Sequence, residues 1–381
     1  MRVLTLFGAH LLAPRGTPSR ARNLTRALAR RPGVEVCAVS RDARAEVEAA
    51  LGIEHRSLGP AADPSASFRQ AIAELQPDVV HGHTHKALPW LAAVAVDDGP
   101  LTVADLHGHL PRERWERRTR SLPRRVADAA RAWADERRWA PRLGAFTVVC
   151  EALAVRARRW QRPVRVLWGG VDTELFRPAA GPPPPGSSVG SPPGGRLRIG
   201  YAGNFRPYQG VDVLVAAVER RLAAGADLEL LLVGDLDAAP ALARRARSLG
   251  ERLVAPGPAT YEDVPALLAT ADILAVPRPA HHTALYGFPS KLPEYMALGR
   301  PVVATRVGEQ SKIVQHGGDG LLVAPGSAAD LAAALADLED EALRRRLGQA
   351  ARRRAEATLT WDAAAATSTT FFEQLLADHA R

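Results

Sequence analysis

The chain is short of several residue types, and each shortage narrows what it can be. Of its 381 residues two are cysteine, Cys37 and Cys150, far apart in the sequence. That excludes a disulfide-stapled fold and suits a reducing compartment, so a cytoplasmic location is expected. Lysine is scarce too: of 50 basic residues only Lys86, Lys291 and Lys312 are lysine. The formal charge of +9 is therefore carried by arginine, and with abundant Ala, Gly and Pro it reads as the imprint of a GC-rich genome. No nucleic-acid partner is expected, although such a field would attract a diphosphate or an anionic surface. The longest uninterrupted apolar run, around residues 87–96, falls well short of the roughly 20 residues a bilayer span requires. The first residues read as a buried strand and not as a secretion signal, because His10 and Arg15 interrupt their apolar stretch.

What is present is a globular composition, 46% hydrophobic against 24% charged, on a chain long enough for two domains that each bury a core. Short β-branched and leucine-rich runs alternate with longer helical patterns, the sign of a parallel sheet wrapped in helices. Strands are expected near residues 3–7, 34–40, 78–81, 101–105, 146–150 and 164–167, then at 197–201, 228–233, 273–277, 301–305 and 321–323. The expected fold class is α/β, with two Rossmann-like, doubly wound parallel sheets. A Pro/Gly-rich stretch, residues 179–196, is the expected linker between residues 1–178 and 197–360. Residues 361–381 form a closing helix with Phe371, Phe372, Leu375 and Leu376 on its apolar side.

The most informative segment runs from Phe288 to Thr305. A loop opens a helix at Ser290, Lys291 and Leu292, Gly299 ends it, and a buried strand follows. A helix N-terminus offers free N–H groups and partial positive charge to a phosphate. Lys291 adds a full charge there, and Glu294, one turn in, can accept two ribose hydroxyls. A capped surface helix is the plainer reading of the same residues.

Elsewhere, Gly16 and Thr17 sit between the first strand and a helix, where a glycine lets backbone approach a ligand; a plain turn is the alternative. Histidines cluster at two strand ends, His81–His83–His85 and His107–His109. Alternate histidines can converge on a metal, but no carboxylate cluster completes a hydrolase pattern, so no metal is assigned. Asp235–Leu236–Asp237 imitates a metal-binding Asp-x-Asp pair and reads as the end of a strand. The arginine-dense stretch 111–142, with Trp115, Trp133 and Trp139, could meet an anionic membrane. Its acidic residues (Glu113, Glu116, Asp128, Asp135, Glu136) favour instead a solvated, salt-bridged helix.

Several motifs, in order along nearly the whole chain, resemble those of glycosyltransferase family 4, retaining enzymes of the GT-B fold. Phe288–Thr305 resembles the family's donor-site motif, in a form with Phe-Pro-Ser-Lys before the Glu. Val166–Pro178 is similar to its segment before the interdomain linker, Ile199–Asp212 to the first strand and loop of its donor domain, and Asp319–Val323 and Trp361–Asp362 to later landmarks. The resemblance implies two domains facing a cleft, a terminal helix packed back across it, and closure that excludes water. It implies transfer of a sugar from a nucleotide-sugar to a small-molecule or glycan acceptor, with no metal or other cofactor. In the family's terms Gly16, Thr17, Gly203, Asn204, Arg206, Arg278, Ser290, Lys291, Leu292 and Glu294 would hold the donor. Arg206 and Lys291 would stabilise the departing diphosphate, and His107 would lie near the transferred sugar, donating to a hydroxyl or stabilising the transition state. Two departures stand out. Tyr286 occupies the place of a donor-sugar Glu, and Asn204 and Gln209 occupy the places of two diphosphate-binding cations. These leave open a non-catalytic sugar-nucleotide binding protein or one of altered coupling; a metal-dependent hydrolase built on the histidines is the remaining alternative.

Overall fold

The computed structural model describes residues 1–13, 16–58, 64–116, 120–178, 189–190 and 192–379. The chain divides into two compact units, one of residues 1–170, 286–288 and 361–381, the other of residues 171–285 and 289–360.

The first unit is a seven-stranded sheet of β1 (Arg2–Leu6), β2 (Glu35–Ser40), β3 (Glu54–Ser57), β4 (Val79–His83), β5 (Leu101–Leu106), β6 (Ala145–Val148) and β7 (Val164–Val166), in the order β3-β2-β1-β4-β5-β6-β7. Neighbours run parallel throughout. Every residue of β4 and β5 is buried, as expected of strands covered on both faces. The two-residue period of the strands sorts their side chains. Val3, Val79 and Val103 pack with Phe371 and Phe372 of the closing helix, Trp361–His379, whereas Leu4, Val80 and Ala104 pack with Phe146 and Leu153 on the opposite face. Helix Gly16–Ala29 shares the first face, where its Leu24 and Leu28 meet Ala364 and Ala365.

The second unit holds β8 (Leu197–Ala202), β9 (Leu228–Val233), β10 (Leu253–Gly257), β11 (Ile273–Val276), β12 (Val302–Thr305) and β13 (Leu321–Val323), in the order β10-β9-β8-β11-β12-β13 and again parallel. The α/β class with two doubly wound sheets is what the structure shows. Both strands that the sequence pattern misses, β3 and β10, lie at sheet edges. β3 reads Glu-His-Arg-Ser and β10 contains Pro256; edge positions tolerate polar residues and a missing N–H that a central strand would not.

The division falls ahead of the Pro/Gly-rich stretch. Val171 bridges to Thr360, and Arg352 donates to the carbonyls of Thr173, Phe176 and Ala297, so residues 171–178 belong with the second unit. Most of the proposed linker, residues 179–188 and 191, lies outside the described residues. Its far end is packed: Val189 is buried, and the Gly190 carbonyl accepts from Arg198 Nη1 at 2.7 Å.

Phe372 is fully buried against β1, β4 and β5. Phe372→Ala should destabilise the first unit by about 3–5 kcal/mol, read as a lowered urea midpoint, whereas substitution of its exposed neighbour Glu373 by Ala should leave the midpoint unchanged.

Candidate functional site

In each sheet the strand order reverses beside its first strand, between β1 and β4 in one unit and between β8 and β11 in the other. Outside the carboxyl ends of strands, such reversals open the crevices in which doubly wound sheets bind ligands.

In the second unit, β8 runs into Gly203 and β11 into Arg278, so these residues flank the reversal. Gly203 has φ +136°, and a Cβ there would sit 2.3 Å from Lys291 Cε. The glycine is thus required for the lysine to lie across the loop. The Lys291 ammonium stands 5.4 Å from the Tyr201 ring centroid. The loop is pinned from beneath: the Ala202 N–H donates to the Tyr295 hydroxyl at 2.8 Å, and the Tyr201 hydroxyl donates to the Asn204 carbonyl at 2.7 Å. Lys291 and Glu294 open the helix Lys291–Ala297 and are a turn apart, on one face. The Tyr261 hydroxyl donates to Glu294 Oε1 at 3.2 Å. Burial raises the Glu294 carboxyl well above its ordinary range, against the pull of Lys291 and that hydroxyl. Burial also lowers the Lys291 ammonium, and the Arg278 guanidinium adds to this. The lysine and the carboxylate are thereby held in surroundings that penalise their charges, a perturbation of the kind that clusters at functional sites.

In the first unit a buried carboxylate organises the strand ends. Arg20 grips Asp105 with Nε to Oδ2 at 2.9 Å and Nη2 to Oδ1 at 3.1 Å, and donates again to the Leu167 carbonyl. His83 Nδ1 lies 3.0 Å and His107 Nε2 2.7 Å from Oδ2, while the Thr147 hydroxyl donates to Oδ1 at 2.9 Å. Burial alone would raise the Asp105 carboxyl, but Arg20, His107 and His83 hold it well below its ordinary value. Burial lowers His107 to about 4 despite the carboxylate, so its ring is neutral near pH 7. A carboxylate only accepts, hence the single proton of that ring sits on Nε2, and Nδ1 presents a lone pair.

The same geometry bears on a metal. His81, His83 and Asp105 bring ligand atoms within 4.8 Å of one another. Yet both Asp105 oxygens are already engaged, Oδ2 by Arg20, His83 and His107 and Oδ1 by Arg20 and Thr147, and a cation would have to displace the Arg20 guanidinium. Asp235 and Asp237 have ordinary structural roles: the first caps the Ala238 N–H at 3.2 Å and the second pairs with Arg247.

The structure therefore gathers Gly203, Arg278, Lys291 and Glu294 into one cluster. Ser290 is exposed beside it, and Leu292 is wholly buried and serves packing. Asn204 and Arg206 are exposed and line a cavity of about 940 Å³ together with Phe205, Asp212, Leu242 and Arg245. Gly16 opens its helix at the surface, and a Cβ there would meet nothing within 4 Å; Thr17 is half-buried next to it. Tyr286, where the resemblance expects a carboxylate, packs edge-on against His109 with ring centroids 5.0 Å apart, and Phe288 fills the space in front of Gly169. Three participants are absent from the sequence expectation. Asp105 is visible in principle, two residues before His107 and so on the same side of the strand; Arg20 and Tyr261 carry no local signal.

Asp105→Asn would leave Arg20 buried without its counter-charge. A loss of about 3–5 kcal/mol in the stability of the first unit is expected, measured by chemical denaturation, and it should shrink when Arg20→Met is added.

Comparison with known proteins places glycosyltransferase domains on both units. Residues 14–175 match the family described as Glycosyltransferase Family 4, and residues 196–341 match Glycosyl transferases group 1. The MMP alpha-(1->4)-mannosyltransferase of Mycolicibacterium hassiacum is 33% identical over 216 residues, 55% of this chain and 47% of that protein. The D-inositol 3-phosphate glycosyltransferase of Streptomyces bingchenggensis is 29% identical over 230 residues, 57% of this chain and 49% of that protein. The chain thus spans about half the length of the curated relatives it matches. Among solved structures, Anabaena HepE in complex with UDP and glucose superposes with a TM-score of 0.70 at 17% identity, covering 98% of this chain and all of that one. The fold is GT-B.

Proposed function

We propose that this chain, built from two glycosyltransferase domains, transfers a sugar from a nucleoside-diphosphate sugar to a hydroxyl of a small-molecule or glycan acceptor, with retention at the anomeric carbon. The observation that carries this reading is the cluster of Lys291, Arg278 and Glu294 at the strand-order reversal of the second unit, backed by the Gly203 loop. HepE, a protein of the same fold, was solved with UDP and with UDP-glucose, which supports a nucleotide-sugar as the donor here.

In this reading the Glu294 carboxylate accepts the two ribose hydroxyls, and Lys291 and Arg278 meet the diphosphate. The bond from the anomeric carbon to the diphosphate oxygen breaks as the bond to the acceptor oxygen forms on the same face. The acceptor's proton passes to the departing phosphate oxygen, so no protein nucleophile is needed. Charge accumulates on the leaving diphosphate, and preformed cations lower the barrier most when water is absent. No metal is invoked, because the protein's own cations take that role. Arg206 is a further cation within reach of a donor, and Nδ1 of His107 is the proposed contact for a hydroxyl of the transferred sugar. An atypical binding protein is the second reading, favoured by the burial of Gln209 and by the Tyr286–His109 packing, where the resemblance expects a cation and a carboxylate. Donor-dependent release of free nucleotide separates the two.

A thermal-shift screen of UDP-, GDP- and dTDP-sugars should show stabilisation by one donor, and Glu294→Ala should weaken that donor's Kd about 10–100-fold, the scale of losing charge-assisted hydrogen bonds. A variant that binds every donor as wild type does would exclude the ribose assignment. Because burial raises Glu294 and hydroxyl donors favour its charged form, donor affinity should fall on acidification while pH is still above the ordinary carboxylate range. Because Lys291 is lowered, affinity should fall again on the alkaline side, before the ordinary lysine range is reached. Titration calorimetry across pH reads both limbs, and Glu294→Gln should abolish the acid one.

A further inference from the structure

The helix Leu122–Trp139 of the first unit has two faces that differ from an ordinary surface helix. Its inner edge carries the buried Ala132 and Glu136. The Glu136 carboxylate is engaged within the protein itself, held by Arg156 and by His85 Nε2 at 3.0 Å. Asp128 is likewise tied to Arg120 at 2.8 Å, and Glu116 to Arg112 at 3.1 Å. Three of the five acidic residues that favour a solvated, salt-bridged reading are therefore engaged locally, while Glu113 and Asp135 are exposed among the arginines.

Leu122, Val126 and Trp133 are 58%, 48% and 50% exposed. Their spacing of four and seven residues puts them in one row along the helix. Arg124, Arg131 and Arg138, seven residues apart, form a second exposed row, with the exposed alanines 127, 130 and 134 between the two. At the start of the helix Arg125 stacks 5.1 Å from the ring centroid of Trp115, itself 38% exposed, and Arg137 lies 4.6 Å from that of Trp133. Residues 110–142 contain eleven arginines and five acidic residues, an excess of six, in a chain whose formal charge is +9.

We infer that this face docks on an anionic lipid surface. Exposed indole and aliphatic side chains on one flank of the helix enter the headgroup boundary, and the long arginines on the other flank of the alanine ridge reach lipid phosphates. A linear row of charge fits a flat, evenly negative surface, and the alanines between the rows let that surface approach closely. Among the described residues no helix is long and apolar enough to cross a membrane, so the contact is peripheral. Such docking does not depend on the proposed reaction.

Co-sedimentation of the full chain with phosphatidylcholine vesicles, with and without phosphatidylglycerol, tests it. Binding is expected to the anionic vesicles alone and to weaken as salt rises. Val126→Ser with Trp133→Ser, and separately Arg124→Glu with Arg131→Glu, should each lower the partition coefficient by about tenfold or more. All four positions are exposed, and unchanged melting temperatures confirm that the variants fold. Absence of binding at low salt, equal binding to neutral vesicles, or variants that sediment like wild type overturns the inference, as does a concentration-dependent dimer that covers Trp133.

Discussion

A carboxylate without water must be neutralised by its surroundings, and Asp105 is such a group. Its two oxygens tie together helix Gly16–Ala29 through Arg20, strand β4 through His83 and strand β6 through Thr147. The desolvation of that charge is offset by a bidentate guanidinium and by hydrogen bonds with near-ideal geometry, the condition under which a buried ion pair is sustained. The consequence is orientation. Because Asp105 can only accept, it orients both the His83 and His107 rings and places the single proton of the neutral His107 on Nε2. The chemistry offered at the strand ends of the first unit is set by one residue that need not touch a ligand.

The second unit solves a related problem differently. Lys291 and Glu294 are not brought to an ideal salt bridge; their environment lowers the first group and raises the second. Such a pair is costly in the empty protein, and in the proposed reading it gains when a diphosphate and ribose hydroxyls arrive, which would couple binding to protonation. Gly203 makes the arrangement possible sterically, and the buried hydroxyls of Tyr201 and Tyr295 keep its loop from relaxing. In the proposed reading, the cations missing at the Asn204 and Gln209 positions are answered by Arg278 and Lys291, which come from other elements.

Much of this is encoded locally. Strands with strong apolar runs are legible to within a few residues of their ends, because burial on both faces demands continuous hydrophobic sequence. The edge strands β3 and β10 are not, since a strand paired on one side can be polar or contain proline. At the site, Lys291 and Glu294 are legible because one helical turn fixes their relation. Leu292 shares that segment yet faces the core, a distinction that sequence adjacency does not make. The unit boundary also escapes composition: a run of prolines marks where the chain is irregular, whereas contacts of Val171 and Arg352 decide where a unit ends.

The sequence by itself determined the α/β class, the two sheets and the helix that offers Lys291 and Glu294, because periodicity and turn chemistry act over a few residues. Only the tertiary structure decided that Arg20 meets Asp105 across 85 positions, that Tyr261 reaches Glu294, that Nδ1 of His107 is buried with no hydrogen-bond partner, and that Leu122, Val126 and Trp133 stay uncovered. Partners far apart in sequence are chosen by packing, and the charge state of a buried group belongs to everything around it.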